Sequence, residues 1–466
     1  MKLTGFLFAA ALLGACTQPA AEENYTRHVD PKIGTGGHGH VFVGANVPFG
    51  LVQVGPTSIP QTWDWCSGYH ASDSTVIGFS HTHLSGTGIG DLFDVTVMPV
   101  TGDVTYARGE EADPASGLWS YADRTQEIAR PGYYSVPLTR YGIRAELTAT
   151  ARVGLHRYTF PASEKAAVVF DLENGGCWDK ATETHLAKEG DRTVTGWRHS
   201  TGWAKDQRVY FAAEFSKPFE KFETIGDNYA RASFRTTDGE QVSLKVALSP
   251  VSIEGAKANL AAELPGWDFD ATAAAADKAW NDELSKVKIE TEDETSKRIF
   301  YTALYHTMVA PSLFCDVNGD YRGADGKVHE NPGRDTYTTF SLWDTYRAAM
   351  PLMTVLHPER MPDIIQTMLH ISDEQGRLPV WHLWGNETDC MVGNPGIVAV
   401  ADAIVKGIGG FDREKAFEAI RKTAMNPDRG NGLRMEYGYI PCEMFNEAVA
   451  YDMEYALADG AAARAA

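Results

Sequence analysis

Two stretches of the chain place tryptophans beside charged residues at close spacing. The first, FSLWDTYRAAMPLMTVL (340–356), carries Asp344 and Arg347 next to Trp343. The second is PVWHLWGNETDCMVG (379–393). Aromatic rings stack on the apolar face of a sugar ring, while carboxylates and amides bind its hydroxyls. In the second stretch, the groups suited to that task are Trp381, Trp384, Asn386, Glu387 and Asp389. The two stretches therefore predict a sugar-binding site.

The first stretch predicts one helix, apolar on nearly every side and therefore buried. Asp344 and Arg347 lie three residues apart and share a face of that helix. The plain structural alternative is a mutual salt bridge in the core. The functional alternative is that Asp344 grips two sugar hydroxyls while Arg347 orients it. The second is favoured because a lone buried ion pair contributes little stability.

Glu387 and Asp389 follow a strand-like segment and fall on a predicted loop, where binding residues are often found. By residue type alone, Asp344, Glu387 and Asp389 are candidates for the acid and base of a glycosidase. That chemistry needs two carboxylates about 5–10 Å apart. Separation along the chain does not fix this distance, so the assignment stays open.

TWDWCSGY (62–69) is a second cluster of aromatic and polar residues. Its members Trp65 and Tyr69 are predicted to face the same sugar site. The alternative, of about equal weight, is a pair of tryptophans in the core.

Histidines are dense between residues 38 and 83. His81 and His83 form a pair that is able to bind a transition metal. A packed pair with hydrogen bonds to the backbone explains them equally well, and no third ligand is assigned, so a metal is disfavoured. The glycines of GTGGHGH (34–40) and HLSGTGIGD (83–91) are not followed by the Lys-Ser/Thr of a phosphate loop. They predict instead a loop that approaches another domain closely.

The net charge of −20, from 42 basic and 62 acidic residues, argues against nucleic acid and anionic membrane surfaces as partners. Residues 1–16 form a predicted signal peptide whose LLGAC end resembles a bacterial lipoprotein signal, with Cys16 lipidated. The alternative is a secretory signal cleaved near Ala15 or Ala21. Residues 17–24 are a predicted tether. The protein is then an exported periplasmic or outer-membrane lipoprotein of a Gram-negative bacterium, and its only membrane contact is the lipid anchor.

Residues 25–264 predict an antiparallel β-sandwich. Ile143, Ala145 and Leu147 alternate with polar residues, as in a half-buried strand. The Asp238–Gly239 pair predicts the turn of a hairpin within residues 232–249.

Residues 265–292 predict a helical linker, and 293–466 predict helices that build the first part of a barrel. One helix is predicted to bury Ile299, Phe300, Ala303, Leu304 and Met308. Another ends at Gly376, and a third begins after Asn394. About seven helical segments are too few for a closed double ring. The last helix is predicted either to be cut short by the end of the chain or to end at Asp459–Gly460, before a disordered alanine tail.

Four motifs in order resemble glycoside hydrolase family 92: VDPKIGTGGHGHVFVGANVPFGLVQVGP, CSGYHASDSTVIGFSHTHLSGTGIGD, SLWDTYRAAMPLMTVLHPER and GRLPVWHLWGNETDCMVGNPGIVAVADAIVKGI. The resemblance implies an α+β multidomain protein, with a β-sandwich followed by an (α/α)6 barrel that is incomplete here. It also implies an inverting, calcium-dependent exo-α-mannosidase that releases terminal mannose, with α-1,2 linkages expected, from N-glycans or mannans.

The resemblance also implies what this chain lacks. The family's general acid lies in a TEGN-type motif, its calcium ligands in a HGNEPSHH-type motif and its base in a GNDDCGQMSAW-type motif, and none of these occurs here. The chain is therefore expected to be an inactive N-terminal fragment, with its catalytic residues beyond 466 and no calcium ligands of its own. The residues that match substrate-contacting positions are Trp343, Asp344, Glu387, Asp389, Trp65 and Tyr69. The alternative is a non-catalytic surface lipoprotein that binds mannose-containing glycans.

Overall fold

The computed structural model describes residues 23–113 and 115–466. The predicted signal peptide, the lipidation site Cys16 and residues 17–22 of the predicted tether lie outside the described residues.

The first part of the described chain is built from antiparallel strands and three short 3-10 helices, at Tyr25–His28, Trp63–Trp65 and Arg124–Gln126. The strands are β1 (Gly55–Thr57), β2 (Thr75–Val76), β3 (Gly78–Ser80), β4 (Thr96–Thr101), β5 (Ser120–Tyr121), β6 (Ile128–Arg130), β7 (Tyr133–Leu138), β8 (Ile143–Ala149), β9 (Val153–Phe160), β10 (Ser163–Asp171), β11 (Lys180–Glu189), β12 (Thr193–Thr201), β13 (Gln207–Phe215), β14 (Lys221–Ile225), β15 (Tyr229–Thr236) and β16 (Glu240–Ser249).

Two large sheets organise this β domain. One has the strand order β11-β12-β13-β16-β9-β8-β7-β6, and the other has the order β1-β3-β4-β10-β15-β14. Their apolar faces share a core. On β8, Ile143, Ala145 and Leu147 are buried, as predicted, while Arg144 and Glu146 between them are partly exposed. The predicted antiparallel β domain is confirmed.

The predicted hairpin at Asp238–Gly239 is wrong. β15 pairs with β10 and β14, whereas β16 pairs with β9 and β13, so the two strands belong to different sheets. Gly239, with φ +76°, turns the chain from one sheet to the other. The apolar residues predicted along β16 are buried: Val242, Leu244, Val246 and Leu248. A turn signal and two alternating strands do not distinguish pairing within a sheet from packing between sheets.

The second part of the chain is mainly helical, with short strands in its connections. The helices are α1 (Ile253–Glu263), α2 (Phe269–Leu284), α3 (Glu294–His306), α4 (Leu342–Thr345), α5 (Ala349–Leu356), α6 (Met361–Gln375), α7 (Pro395–Val405), α8 (Arg413–Ala424), α9 (Asn431–Tyr437) and α10 (Ala448–Ala465). The short strands are β17 (Ser312–Leu313), β18 (Tyr321–Arg322), β19 (Val328–His329), β20 (Tyr337–Thr338), β21 (Phe340–Ser341), β22 (Trp381–Leu383) and β23 (Asn386–Glu387).

Several helix boundaries agree with the sequence signals. α6 ends at Gly376, whose φ of +96° suits glycine, and α7 begins after Asn394. α10 continues through Asp459 and Gly460 to Ala465, so the predicted stop there is wrong. On α3 the predicted apolar stripe is also wrong in part, because Ile299 is exposed while the aromatic Tyr301 and Tyr305 are buried.

Residues 340–356 do not form the single buried helix that their composition predicts. They fold as β21, the one-turn α4 and, after a break at Ala348, α5. Pro351 lies in the first turn of α5, where a missing N–H is tolerated. In a helix that continued from α4 into α5, its ring would clash with the preceding turn of backbone. Val355 is 69% exposed, so the segment is not buried on all sides.

The two domains share one hydrophobic core. Phe49 of the β domain exchanges backbone hydrogen bonds with Met308 (2.8 Å) and Leu313 (2.9 Å) of the helical domain. The Gln53 side-chain amide donates to the Val309 carbonyl at 3.0 Å, and the Trp280 indole N–H donates to the Asn46 carbonyl at 2.7 Å. These contacts hold the domains in one fixed arrangement.

The helical domain leaves apolar residues uncovered on α10, where Val449 and Met453 are 70% and 71% exposed. A groove of about 380 Å³ runs between α7 and α10 beside Leu457. Among the described residues, no helix has the length and hydropathy of a membrane span.

Replacing Phe49 with alanine tests the shared core. The ring is fully buried and packs against His357 and under Arg360 at the domain junction. Phe49→Ala is expected to lower the free energy of unfolding by about 3–5 kcal/mol, measured by chemical denaturation. The exposed Ile128→Ala is the control and is expected to change it by less than about 1 kcal/mol. Similar effects for both variants would contradict the shared core.

Candidate functional site

The predicted sugar-binding loop of the helical domain lies against the β domain. Asn386 accepts a hydrogen bond from the Asp206 N–H at 3.0 Å and donates one to the Asp206 carbonyl at 3.0 Å. Arg322 donates to the same carbonyl at 2.8 Å and to the Asp206 carboxylate at 2.6 Å. Asp206, which the sequence analysis missed, therefore fixes this loop across the domain boundary.

A pair of tryptophans lies beside that junction. Trp203 of the β domain packs edge-on against Trp381, with ring centroids 4.7 Å apart. The Asp91 carboxylate holds the Trp203 segment by accepting from the N–H groups of Trp203 (3.0 Å) and Ala204 (2.7 Å). A Cβ on Gly202 would lie 2.5 Å from the Asp91 carboxylate, so only glycine fits there. No sequence pattern indicated a partner for Trp203, because its contacts come from distant segments.

The glycines of HLSGTGIGD permit close contacts, but within the β domain. A Cβ on Gly88 would lie 2.4 Å from the Trp63 ring, and one on Gly90 would lie 2.8 Å from Cys177. The prediction that this loop approaches another domain is therefore wrong at these two positions. The loop positions Trp63 and Trp178, which are 48% and 44% exposed.

Glu387 fixes the shape of the loop through hydrogen bonds with its backbone. Its carboxylate accepts from the backbone N–H groups of Val380 (2.8 Å), Trp381 (2.9 Å) and Asp389 (3.0 Å). Burial opposes ionisation, but these N–H donors hold the pKa of Glu387 below its usual value. Burial lowers the pKa of the adjacent His382 to about 4. With both oxygens engaged, Glu387 is suited to positioning the loop.

Asp389 and Asp344 are the predicted carboxylates that face solvent. Asp389 forms ion pairs with Arg377 and, at 3.5 Å, with Arg429. Asp344 is exposed and accepts from the Ser341 hydroxyl at 2.6 Å. It has no ion-pair partner among residues 23–113 and 115–466, which leaves its carboxylate open to a ligand.

Arg347 does not pair with Asp344. It donates to Glu454 of α10 at 2.7 Å and lies over the rings of Trp343 and Tyr346. The mutual salt bridge considered from the sequence is therefore absent among the described contacts of this pair, and Arg347 pairs with Glu454 instead.

Of the other predicted contact residues, Trp384 and Trp65 are buried and Trp343 is partly buried. Trp384 is buried against Phe314, with centroids 5.2 Å apart. Trp65 stacks on His70 and donates to Asp73 at 2.6 Å. Trp343 packs with an apolar cluster that includes Val392, Ile440, Tyr451 and Tyr455.

Tyr69 is also enclosed. Its hydroxyl donates to Glu127 at 3.0 Å, and Arg124 covers its ring at 4.3 Å. Burial raises the pKa of this phenol. The contact of Trp65, Tyr69, Trp343 and Trp384 with a substrate stays a prediction.

His81 and His83 have backbone partners. His81 Nδ1 lies 2.6 Å from the Val95 carbonyl, and His83 Nδ1 lies 2.7 Å from the Gln53 carbonyl. The other ring nitrogen of His81 lies 2.9 Å from His156, and burial lowers the pKa of His81 to about 3. These contacts correspond to the packed alternative for this pair.

Two groups of described residues have metal-ligand geometry: His38, His40 and Asp64, and Glu283, His357 and Glu359. Calcium takes six to eight oxygen ligands. Both groups contain imidazole and offer too few oxygens, so neither fits calcium.

Comparison with known proteins matches both domains to one family. Residues 28–249 match the glycosyl hydrolase family 92 N-terminal domain, and residues 255–466 match the glycosyl hydrolase family 92 catalytic domain. A secreted glycosidase of uncharacterized activity from Arthroderma benhamiae is 27% identical over 474 residues, covering 91% of this chain and 56% of that protein.

Solved structures of the same family also resemble this chain. A family GH92 α-mannosidase from Bacteroides thetaiotaomicron is 37% identical with a TM-score of 0.91, over 95% of this chain and 62% of that one. An inverting mannosidase of the same family and organism is 28% identical with a TM-score of 0.84, over 95% of this chain and 63% of that one. The chain thus spans less than two thirds of the length of these relatives.

The role of Glu387 is tested by Glu387→Gln. The amide presents an NH₂ group to backbone donors, so the variant is expected to lose about 1–3 kcal/mol of unfolding free energy at pH 7. The folded pKa lies below the ordinary value of 4.5, so the ionised carboxylate stabilises the fold above that value and this stability is lost as pH falls through the folded pKa.

The difference between wild type and Glu387→Gln should therefore narrow below pH 4.5 in denaturation experiments. Glu443→Gln, at an exposed position, is the control and should match wild type at pH 7. A gap that stays constant from pH 7 to pH 3 would rule out the proposed backbone clamp.

Proposed function

The chain belongs to glycosyl hydrolase family 92, and we propose that the complete protein is an exo-acting α-mannosidase. It releases terminal mannose from N-glycans or mannans, with α-1,2 linkages as the preferred substrate. The observation that carries this proposal is the likeness to a family GH92 α-mannosidase over 95% of the chain. Both predicted sugar-binding stretches lie within residues 255–466, which match the family's catalytic domain.

In this proposal the domain junction supports one sugar-binding surface. Asp344 accepts hydrogen bonds from mannose hydroxyls, because its carboxylate is exposed and its one hydroxyl partner leaves acceptor capacity free. Arg347 and Asp389 line the same surface, while Glu387 and Asn386 hold the loop that carries Asp389. Contact of Trp384, Trp343, Trp65 and Tyr69 with the sugar is part of the same proposal.

We propose an inverting mechanism, in which a protonated carboxyl group assists the leaving oxygen and a second carboxylate activates water. A solved mannosidase of the family is described as inverting. The acid, the base and the calcium ligands are proposed to lie beyond residue 466, where the motifs of the family resemblance place them. When bound, calcium supplies a positive charge that interacts with sugar hydroxyls. The groups of this chain bind and orient the sugar.

We also propose that the protein is exported, held by a lipid on Cys16, and meets glycans outside the cytoplasm. A secreted glycosidase among the relatives supports export. The acidic net charge supports a neutral glycan as partner over nucleic acid.

A surface glycan-binding protein without catalysis is the second candidate. The exposed rings of Trp63 and Trp178 favour it, since such rings serve as sugar platforms. Calorimetry with mannobiose measures sugar binding by the 466-residue chain. An aryl α-mannoside assay of the complete protein measures turnover, and the two results together distinguish the candidates. Tight binding without turnover by the complete protein supports this candidate, and turnover excludes it.

Asp344→Asn in the complete protein tests the proposed sugar contact. Loss of one or two hydrogen bonds to a charged acceptor is expected to lower kcat/KM for an aryl α-mannoside by about 10- to 100-fold. The control is Asp373→Asn, whose exposed carboxylate pairs with Lys415 at 2.7 Å. Equal kcat/KM for wild type and Asp344→Asn would remove Asp344 from the site.

A further inference from the structure

A cluster of His38, His40 and Asp64 lies on the β domain, apart from the contacts described at the domain junction. The Asp64 carboxylate oxygen is 2.6 Å from His38 Nδ1 and 3.2 Å from His40 Nε2. The three potential ligand atoms all lie within 4.8 Å of one another. Two imidazoles and a carboxylate thus lie close enough together for small side-chain movements to bring all three onto one ion.

The local backbone is built to hold this arrangement. His40 has φ +52°, a left-handed conformation that is uncommon outside glycine, and its side chain is only 4% exposed. Its carbonyl accepts from the Gly86 N–H at 2.7 Å. A Cβ on Gly39 would lie 1.9 Å from the Gly34 carbonyl oxygen, so the tight loop requires glycine. Backbone strain of this kind persists where surrounding structure fixes it.

Trp63 forms one wall of the cluster. Its ring lies 4.3 Å from the His40 ring and 5.4 Å from the His38 ring, between centroids. Its indole N–H donates to the Gly88 carbonyl at 2.9 Å, which fixes the ring in place. The His38 side chain, 76% exposed, leaves the opposite side open to solvent.

The charge balance distinguishes this cluster from the second one. Within the described part of the chain, the ion-pair partners of Asp64 are the two histidines. In the other group, Glu283 already pairs with Lys286 at 2.7 Å and Arg360 at 3.4 Å. Those cations occupy the place that a metal ion would take. No lysine or arginine among the described residues does so at Asp64.

We propose that His38, His40 and Asp64 bind a divalent transition metal ion of the zinc class. Imidazole nitrogen and carboxylate oxygen suit such ions, and three protein ligands leave a fourth position for water or a ligand oxygen. The ion joins the glycine-rich loop of residues 34–40 to the segment that carries Trp63. This site is independent of the proposed mannosidase activity and of any calcium site.

Metal binding by the purified 466-residue chain tests the proposal. After treatment with a chelator, the chain is titrated with Co²⁺, whose visible absorption reports its coordination, and with Zn²⁺ in competition with a chromogenic chelator. One ion per chain is expected. His38→Ala and Asp64→Asn are each expected to weaken binding at least about 10- to 100-fold, since even outer-shell partners of metal ligands contribute that much.

Two controls make the result specific. His185→Ala removes an exposed histidine that stacks on Trp197 elsewhere on the β domain, and Glu359→Gln alters the second cluster; both should bind as wild type does. Circular dichroism confirms that each variant is folded; His38 is exposed, so its removal leaves the core intact. No stoichiometric binding, wild-type affinity in both His38→Ala and Asp64→Asn, or equal loss in either control would overturn the proposal.

Discussion

The side chain of Asn386 and the backbone of Asp206 exchange two hydrogen bonds across the boundary between the domains. This reciprocal contact fixes where the loop of residues 384–391 sits relative to the β domain. Arg322 strengthens it by donating to Asp206 twice. The position of the loop that carries Asp389 therefore depends on this junction as well as on the hydrogen bonds of Glu387 within the helical domain.

The polar residues near the junction divide into two kinds. Glu387, Asp91 and Asn386 are engaged with backbone groups, and their hydrogen bonds shape the loops. Asp344 instead has a free carboxylate at the surface. The division matters for function, since a carboxylate that accepts several backbone N–H groups has little capacity left for a sugar. Glu387, Asp91 and Asn386 thus shape the loops, and Asp344 is the proposed ligand contact.

Local patterns predicted the parts of the fold that local chemistry determines. The half-buried strand β8 and the end of α6 at Gly376 were predicted correctly. Alternating burial places apolar residues at every second position, and a helix end with φ > 0 favours glycine, so both features can be recognised in the sequence. The hairpin at Gly239 was wrong because pairing partners are chosen by tertiary packing. The prediction of one buried helix over residues 340–356 was wrong because Pro351 opposes a continuous helix, despite the apolar composition of the segment.

The candidate site residues were chosen by residue type, and their actual contacts could not be predicted from the sequence. The residue types in SLWDT and GNETDC led to the predicted contacts, whereas which of these residues face solvent depends on contacts with remote residues. Glu454 and Arg429 lie far along the chain from their partners Arg347 and Asp389. No spacing rule connects such residues, so their roles emerged only from the structure.

The most direct measurement is a crystal structure of the complete protein with a mannose-shaped inhibitor such as mannoimidazole. The account predicts that the sugar ring lies at the domain junction, with the Asp344 carboxylate within hydrogen-bond distance of its hydroxyls and the loop of Asp389 beside it. An inhibitor bound away from the junction, with Asp344 still facing solvent, would contradict it.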